Sequence, residues 1–591
     1  MMASTSADTV PQLLAQRVAQ SPNAPAFRVE DAVGVWQSTT WREFSERIAT
    51  LRSALVAAGL RKGDRLALIA PVSLEWEILH HAALGMGLVV VGLDAHDLPG
   101  RIAGMAEQAG ISAFAVSDVR ILSGLEPGRL AACRLLLRLG DAIDTPAGWP
   151  PGARWLNWDE FAACGAQVRA SITSPAAADT ATIIFTSGTT GSPKGIAYSH
   201  AQLCLAIDAI RGVFGFVSPD SQLLCWLPLS NLLQRMVNLA AMGQGACTYL
   251  LDDPRRVMMV VADVSPDIFV GVPRFYEKLY DGVRANIASQ SALRRRLVKL
   301  AWGLGRRASR LRLAGRKLPL WLAFAHGLAD LLVLRRVRRA MGRRLRCMVT
   351  GSAPTPRHLL EEFHALGWLV LEAYGLSENV IPMAMNRPDD FRFGTVGRPM
   401  PGNEISIGVD GLVKVRGAGV FSGYLGGLGG ELDAEGFYLT GDLGEFDPQG
   451  FLRLTGRTGD IIKTSTGRRV APAGIEAKLR EVPGIDQAVV LGAGCKYLIA
   501  LCSCSTPHPS SAERREIERA LLATVSTIGE PERPRGIVLL EQPFAIESGE
   551  LTTNLKVRRT FVEVKYSSRI RELRAIIDGE SHTVAGAATV L

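Results

Sequence analysis

One stretch constrains this chain more than any other: Thr186-Ser187-Gly188-Thr189-Thr190-Gly191-Ser192-Pro193-Lys194-Gly195. It follows Ala181-Thr182-Ile183-Ile184-Phe185, an apolar run that predicts a buried strand. From Thr186 to Ser192 every position is a hydroxyl residue or glycine. A backbone so free of bulk can turn its N–H groups toward phosphate oxygens, with hydroxyls as further donors and Lys194 as a point charge. The ATPase phosphate loop is excluded: Gly195, not Ser or Thr, follows Lys194, and the glycine spacing differs. A Ser/Gly-rich surface turn is the plainer alternative, and the strand before it and lysine after it speak against that.

At 591 residues the chain exceeds what one core can serve, so several subdomains are expected. Its nine cysteines show no paired metal spacing, which predicts a reduced, cytoplasmic chain without disulfides or zinc. Residues Met1 to Pro22 lack a basic region followed by an apolar core, so no secretory signal is read there. Charge is distributed unevenly. Between Arg294 and Arg346 stand seventeen Lys or Arg and one acid, Asp330, a net +16 that leaves the rest of this +9 chain at −7. The apolar run Leu318 to Leu334 within that segment starts beside Pro319 and contains Asp330, which excludes a spanning helix. A basic helical hairpin on the inner face of an anionic membrane is one reading, and a helical insertion with a solvated arginine face is the other. Few aromatics accompany the arginines, so nucleic acid is not an expected partner.

Helices and short apolar strands alternate through the first half. Phe44 to Gly59 and Leu74 to Leu84 read as helices; Arg65 to Ala70 and Val89 to Gly92 read as strands. The rhythm continues through His200 to Phe214 (helix) and the strands Ser221 to Leu227, Ala246 to Leu251, Ile268 to Val272 and Leu345 to Thr350. This predicts an α/β fold of layered, largely parallel sheets over residues 1–456, with a basic helical insertion at 294–346. A β-rich subdomain is expected at 394–455 and a small, mobile α+β domain at 457–591, its tail after Ser581 disordered.

Three further blocks carry chemistry. Thr350-Gly351-Ser352-Ala353-Pro354 and Leu371-Glu372-Ala373-Tyr374-Gly375-Leu376-Ser377-Glu378 each leave a strand, forming a slot for a flat base with Tyr374 stacked on it and Glu378 free to hold a hard cation. Alone, Tyr374 would be core and Glu378 a solvated loop residue. Thr440-Gly441-Asp442 precedes Thr455-Gly456-Arg457; Asp442 can accept two ribose hydroxyls and Arg457 can donate to ribose or phosphate. Leu551-Thr552-Thr553-Asn554-Leu555-Lys556-Val557-Arg558-Arg559 offers a lysine able to steady charge developing on a phosphate.

Together these blocks resemble the adenylate-forming superfamily of acyl-CoA synthetases, luciferases and nonribosomal adenylation domains. The wording Leu-Thr-x-x-Leu-Lys-x-Arg-Arg and Val272-Pro273-Arg274-Phe275-Tyr276-Glu277-Lys278 resembles its long-chain members. The resemblance implies ATP or AMP binding by Thr186, Ser187, Gly188, Thr189, Thr190, Gly191, Lys194, Gly351, Ser352, Ala353, Pro354, Glu372, Ala373, Tyr374, Gly375, Ser377, Asp442 and Arg457. It implies magnesium on Thr186 and Glu378, with Lys556 as adenylation lysine beside them in catalysis. It places the acyl pocket near Asn231 and Val272, and the CoA channel along Ser465, Thr466 and Gly467. Departures from the family's wording are Asn231 for His, Gln234 for Glu, Gly459 at the hinge, and Thr466 for Gly.

The activity implied is an acid–thiol ligase using ATP, Mg2+ and CoA on a medium- to long-chain fatty acid. Two alternatives stay open. One loads a separate acyl carrier protein, docked on the arginine-rich insertion; the other is a noncatalytic lipid-binding protein on a decayed ligase fold.

Overall fold

In the computed structural model, which describes residues 7–139, 155–166, 173–186, 193–427, 430, 432–545, 548–551, 557–579 and 588–590, the run before the glycine-rich loop is the strand Thr180–Phe185. It lies near one edge of a seven-stranded sheet ordered Trp155–Asn157, Leu135–Arg138, Ala113–Val116, Arg65–Ile69, Val89–Gly92, Thr180–Phe185, Gly195–Ser199. Every pairing is parallel except the last, where the chain doubles back through the loop. Strands buried on both faces must be apolar throughout, and Leu66-Ala67-Leu68-Ile69 and Val89-Val90-Val91 are.

A nine-stranded sheet is parallel from Val370–Tyr374 through Cys347–Thr350, Ile268–Gly271, Gln222–Cys225 and Cys247–Leu250 to Pro25–Glu30. Antiparallel strands close both edges. Helices cover the faces, and their ends are written locally. Thr40 and Glu43 form a reciprocal capping box for Trp41–Ala57; Ser73 caps Leu74–Met86, which stops at left-handed Gly87. The layered α/β expectation is met, and the strands and helices foreseen lie within a few residues of their places.

The chain divides into two compact units: one of the described residues to Ile405 with Val415–Tyr438, the other of Ser406–Lys414 and the described residues from Leu439 onward. In the second unit a sheet ordered Ile485–Leu491, Ile499–Cys504, Gly536–Leu540, Ala588–Val590 buries an apolar layer on each face. The last strand corrects the expectation of a disordered tail: Ala588–Val590 pairs antiparallel with Gly536–Leu540, whose otherwise open edge offers unpaired backbone groups. Among the described residues no helix is long and apolar enough to cross a membrane.

One feature of the core is polar. Helix Leu74–Met86 is buried along its length; it places Glu77 against Asn238 of helix Leu232–Gln244, with His80 and His81 beside Glu77. Asn238 donates to the Glu77 carboxylate at 2.6 Å, Gln234 donates to Asn238 at 2.9 Å, and Arg235 donates to Thr182 Oγ1 at 2.8 Å. Burial pushes the Glu77 carboxyl up and the His81 imidazole down to about 3, so His81 is neutral. Arg235 supplies the cation of this cluster, fully buried. Arg235→Ala should therefore cost about 3 kcal/mol or more, whereas Arg120→Ala, which breaks the exposed pair with Asp118, should leave the unfolding midpoint nearly unchanged. Urea denaturation of the two variants checks this.

Candidate active site

The hairpin fixes both ends of the glycine-rich loop. Phe185 pairs with Gly195, the Thr186 N–H donates to the Lys194 carbonyl at 3.0 Å, and the Lys194 N–H donates back to Thr186 Oγ1 at 3.2 Å. Residues Ser187, Gly188, Thr189, Thr190 and Gly191 lie outside the described residues. Gly195 lies close under Leu425: a Cβ there would sit 2.6 Å from the Leu425 Cδ1, so that side chain would have to shift.

From this root Lys194 extends over Tyr424, its ammonium 4.7 Å from the ring centroid. The Tyr424 hydroxyl donates to Glu378 Oε1 at 2.7 Å. Glu378 is further fixed by its carbonyl, which accepts from the Phe421 N–H at 2.9 Å. The neighbouring Ser377 carbonyl accepts from Tyr198 Oη at 2.5 Å. Asn379, buried, donates to Asn403 and accepts from the Ile381 N–H, holding the turn beyond Glu378. The structure thus brings together Thr186, Lys194, Ser377 and Glu378, drawn from two separate sequence blocks. Burial, with hydrogen bonds to Tyr438 and Glu378, raises the Tyr424 phenol far above its ordinary value, so it stays a neutral donor.

The proposed base slot is built by adjacent parallel strands, Thr350 opposite Glu372. Gly351 packs so near the Ala373 carbonyl that a Cβ would sit 3.1 Å from it, and Ser352 turns with φ 70°. Ser352, Ala353, Pro354 and Gly375 are exposed. Tyr374, at the end of its strand opposite Ala384, is 7% exposed, where the sequence predicts an exposed stacking ring.

In the second unit Asp442 and Arg457 face each other across the hairpin Tyr438–Phe446 and Leu452–Arg457, with Nε to Oδ1 at 2.7 Å. Asp442 is buried, while the Arg457 side chain is more than half exposed. Ser465, Thr466 and Gly467 form an exposed turn, whose positive φ falls on Gly467, leaving Thr466 an ordinary backbone. Gly459 has a negative-φ backbone and open space around it, so nothing local demands glycine. Asn231 and Val272 each occupy the N-cap of a helix, Asn231 accepting from the Leu233 N–H at 3.0 Å. Lys556 lies outside the described residues.

Comparison with known proteins accords with this geometry. Residues 14–425 match the AMP-binding enzyme family and residues 459–575 the AMP-binding enzyme C-terminal domain. The chain belongs to the AMP-binding enzyme family. It is 32% identical over 571 residues to long-chain-fatty-acid–CoA ligase FadD15 of Mycobacterium bovis, covering 91% of this chain and 93% of that one. Long chain acyl-CoA synthetase 1 of Arabidopsis thaliana is 27% identical, covering 92% and 89%. Among solved structures, the adenylation domain of a carboxylate reductase from Mycobacterium chelonae superposes with a TM-score of 0.73 at 20% identity, covering 96% and 91%. An anthranilate CoA ligase bound to anthranoyl-AMP gives 0.71 at 18%, covering 94% and 97%.

Sequence reasoning about this AMP-binding enzyme missed Tyr424. Its only signal is Gly423 before it in Phe421-Ser422-Gly423-Tyr424, a turn whose aromatic is read more simply as packing. Glu372 also behaves unlike a ligand-facing acid. It is buried, accepting from the backbone N–H groups of Gly394, at 3.3 Å, and Thr355, and burial pushes its carboxyl up to about 8. Between pH 4.5 and about 8 the folded chain therefore holds a proton that the unfolded chain has released. Stability falls across that window as pH rises, by up to about 1.4 kcal/mol per pH unit from this group. Glu372→Gln should remove that component, which urea denaturation of both proteins at several pH values within the window measures.

Proposed function

We propose that this AMP-binding enzyme is an ATP-dependent acid–thiol ligase that activates a medium- to long-chain fatty acid as acyl-AMP and passes the acyl group to CoA. One observation carries the reading: Lys194 of the phosphate loop and Glu378 of a distant block converge on Tyr424, in a chain whose curated relatives named above are long-chain ligases or synthetases.

A carboxylate oxygen of the acid attacks the α-phosphorus of ATP, the bond to the bridging oxygen breaks, and pyrophosphate leaves. Negative charge builds on phosphate oxygens, and an enzyme gains most by presenting fixed positive groups where it builds. Lys194 presents an ammonium from a loop rooted in a β-ladder. Tyr424 orients it from below without neutralising it. Glu378 and the Thr186 hydroxyl supply hard oxygen donors of the kind magnesium takes, and both are already oriented by hydrogen bonds, from Tyr424 and from the Lys194 N–H. Magnesium held there would neutralise phosphate charge. Asp442 and Arg457 are assigned the ribose, Lys556 the α-phosphate, and Gly351 to Pro354 with Tyr374 the base edge and face. In the second step the CoA thiolate attacks the acyl carbon of the anhydride, and AMP leaves with the bonding electrons. Ser465, Thr466 and Gly467 are assigned the thiol's approach, and Asn231 and Val272 the acyl border. The partners in this reading are the fatty acid and, on residues 294–346, a membrane surface or an acidic carrier protein.

With ATP and a panel of fatty acids, the protein should catalyse pyrophosphate exchange and, with CoA, release AMP and thioester. Exchange with no acid would refute the ligase reading; thioester on carrier protein alone would reassign the acceptor. Lys194→Ala and Tyr424→Phe should each lower exchange, the first by about a hundredfold and the second by about tenfold. Lys556→Ala should nearly abolish exchange while leaving thioester formation from supplied acyl-AMP largely intact. Equal loss of both half-reactions would remove Lys556 from its assigned step.

A further inference from the structure

We infer that the helical segment within 292–346 is a docking face for an anionic phospholipid surface. This names one partner for the segment left with two above, and it rests on that reading of the segment, not on the nucleotide site.

The segment's inner side is spent on packing. Helix Ala292–Leu313 buries Ala301, Trp302, Gly305 and Ala308; a Cβ at Gly305 would collide with the Ala365 carbonyl, so this helix is pressed directly onto the backbone of its neighbour. Leu322 and Leu334 do the same for the second helical stretch, Leu320–Ala329 continuing through a π turn, Asp330–Leu334, into Arg335–Arg338.

The outer side is what a folded chain ordinarily avoids. Leu320 is 90% exposed, Phe324 77% and Trp321 55%, with Leu328, Leu331 and Leu332 about half exposed or more. Spaced mostly three or four apart, they form one apolar stripe along the helix. Leu293, Leu297 and Leu300 make a second stripe on the first helix, beside exposed Arg294, Arg296 and Lys299. Bases stand next to the apolar groups here too: the Arg307 guanidinium lies 5.0 Å from the Trp321 ring centroid. The one acid, Asp330, is neutralised by Arg338 through bonds of 2.5 and 2.9 Å.

Each rival occupant fits only half of this. An acidic carrier protein answers the arginines and leaves Leu320, Trp321 and Phe324 in water. A second copy answers the apolar stripe and opposes +16 to +16. A headgroup layer with acyl chains beneath it answers both at once: rings and leucines enter the boundary, and phosphates meet the bases. Contact is in the plane of the surface, since no described helix can cross it.

Sedimentation of the full chain with vesicles, without ATP, tests this. Binding is expected to phosphatidylglycerol-containing vesicles and not to pure phosphatidylcholine. It should fall about tenfold or more with the Phe324→Glu/Leu331→Glu pair, with Arg310→Glu/Arg316→Glu, and on raising salt from about 0.1 to about 0.5 M. Circular dichroism of each variant confirms folding, and exchange with a short soluble acid should match the unmodified chain. No vesicle binding, binding unchanged in either variant, binding only to an acidic carrier, or lipid-free self-association that Phe324→Glu abolishes overturns the inference. Vesicle binding without exchange would sustain the docking face and remove the ligase reading; exchange without vesicle binding does the reverse.

Discussion

A single neutral side chain stands between two charges that would otherwise seek each other. Tyr424 offers its ring to the Lys194 ammonium and its hydroxyl to the Glu378 carboxylate. Among the described residues no ion pair joins Lys194 to Glu378. Direct pairing would cancel both charges, and any ligand using either of them would first have to break it. A ring under the lysine costs the cation little of its field, because a quadrupole attracts without neutralising. A phenol held neutral by burial can donate to the carboxylate while leaving its other oxygen for a cation. An ammonium and a carboxylate can then be held by one side chain without cancelling each other.

That arrangement depends on the strand beneath it. Thr180–Phe185 leads into the glycine-rich stretch, and Thr182 within the strand donates to the Val90 carbonyl and accepts from Arg235. A β-hydroxyl in a parallel sheet buried on both faces would be a liability without these partners. Here it ties the root of the loop to a buried polar cluster containing Glu77 and Asn238. A hydroxyl- and glycine-rich loop has no apolar side chains to anchor it, so its geometry must come from its ends. The strand leading into it rests on this cluster, and its two ends are joined where the Thr186 N–H donates to the Lys194 carbonyl and the Lys194 N–H donates to the Thr186 hydroxyl.

Where a side chain's role follows from its own run of sequence, the sequence was readable. The strands Arg65–Ile69 and Val89–Gly92 and the helix Leu74–Met86 all announce themselves by apolar runs and breaker residues. Juxtaposition across the fold is different. Nothing in Phe421-Ser422-Gly423-Tyr424 says that its ring will lie under a lysine more than two hundred positions earlier. Tyr374 was expected to expose its ring at a strand end, and the ring is buried. Ala588–Val590 was read as tail because three small residues carry no packing signal; the open edge of Gly536–Leu540 decides their place. Asn231, read as a change in the acyl pocket, is also a helix cap, and a cap constrains residue type by itself.

The arginine-rich helices sharpen the distinction between residues the fold requires and residues it does not. Trp302, Gly305, Ala308, Leu322 and Leu334 explain why these helices pack where they do. Nothing in that packing asks for Phe324, Leu328 or Leu331 on the outside, where polar residues would hold the same helices at lower risk of aggregation. Nor does packing ask for arginine after arginine, since a lone surface charge adds little to stability and a crowd of like charges subtracts from it. Arg306 and Arg344 are answered by Glu362 and Asp267 outside the segment, and the positive charge that is left is a cost to the isolated chain that a surface of opposite sign, able also to take up the apolar stripe, would relieve.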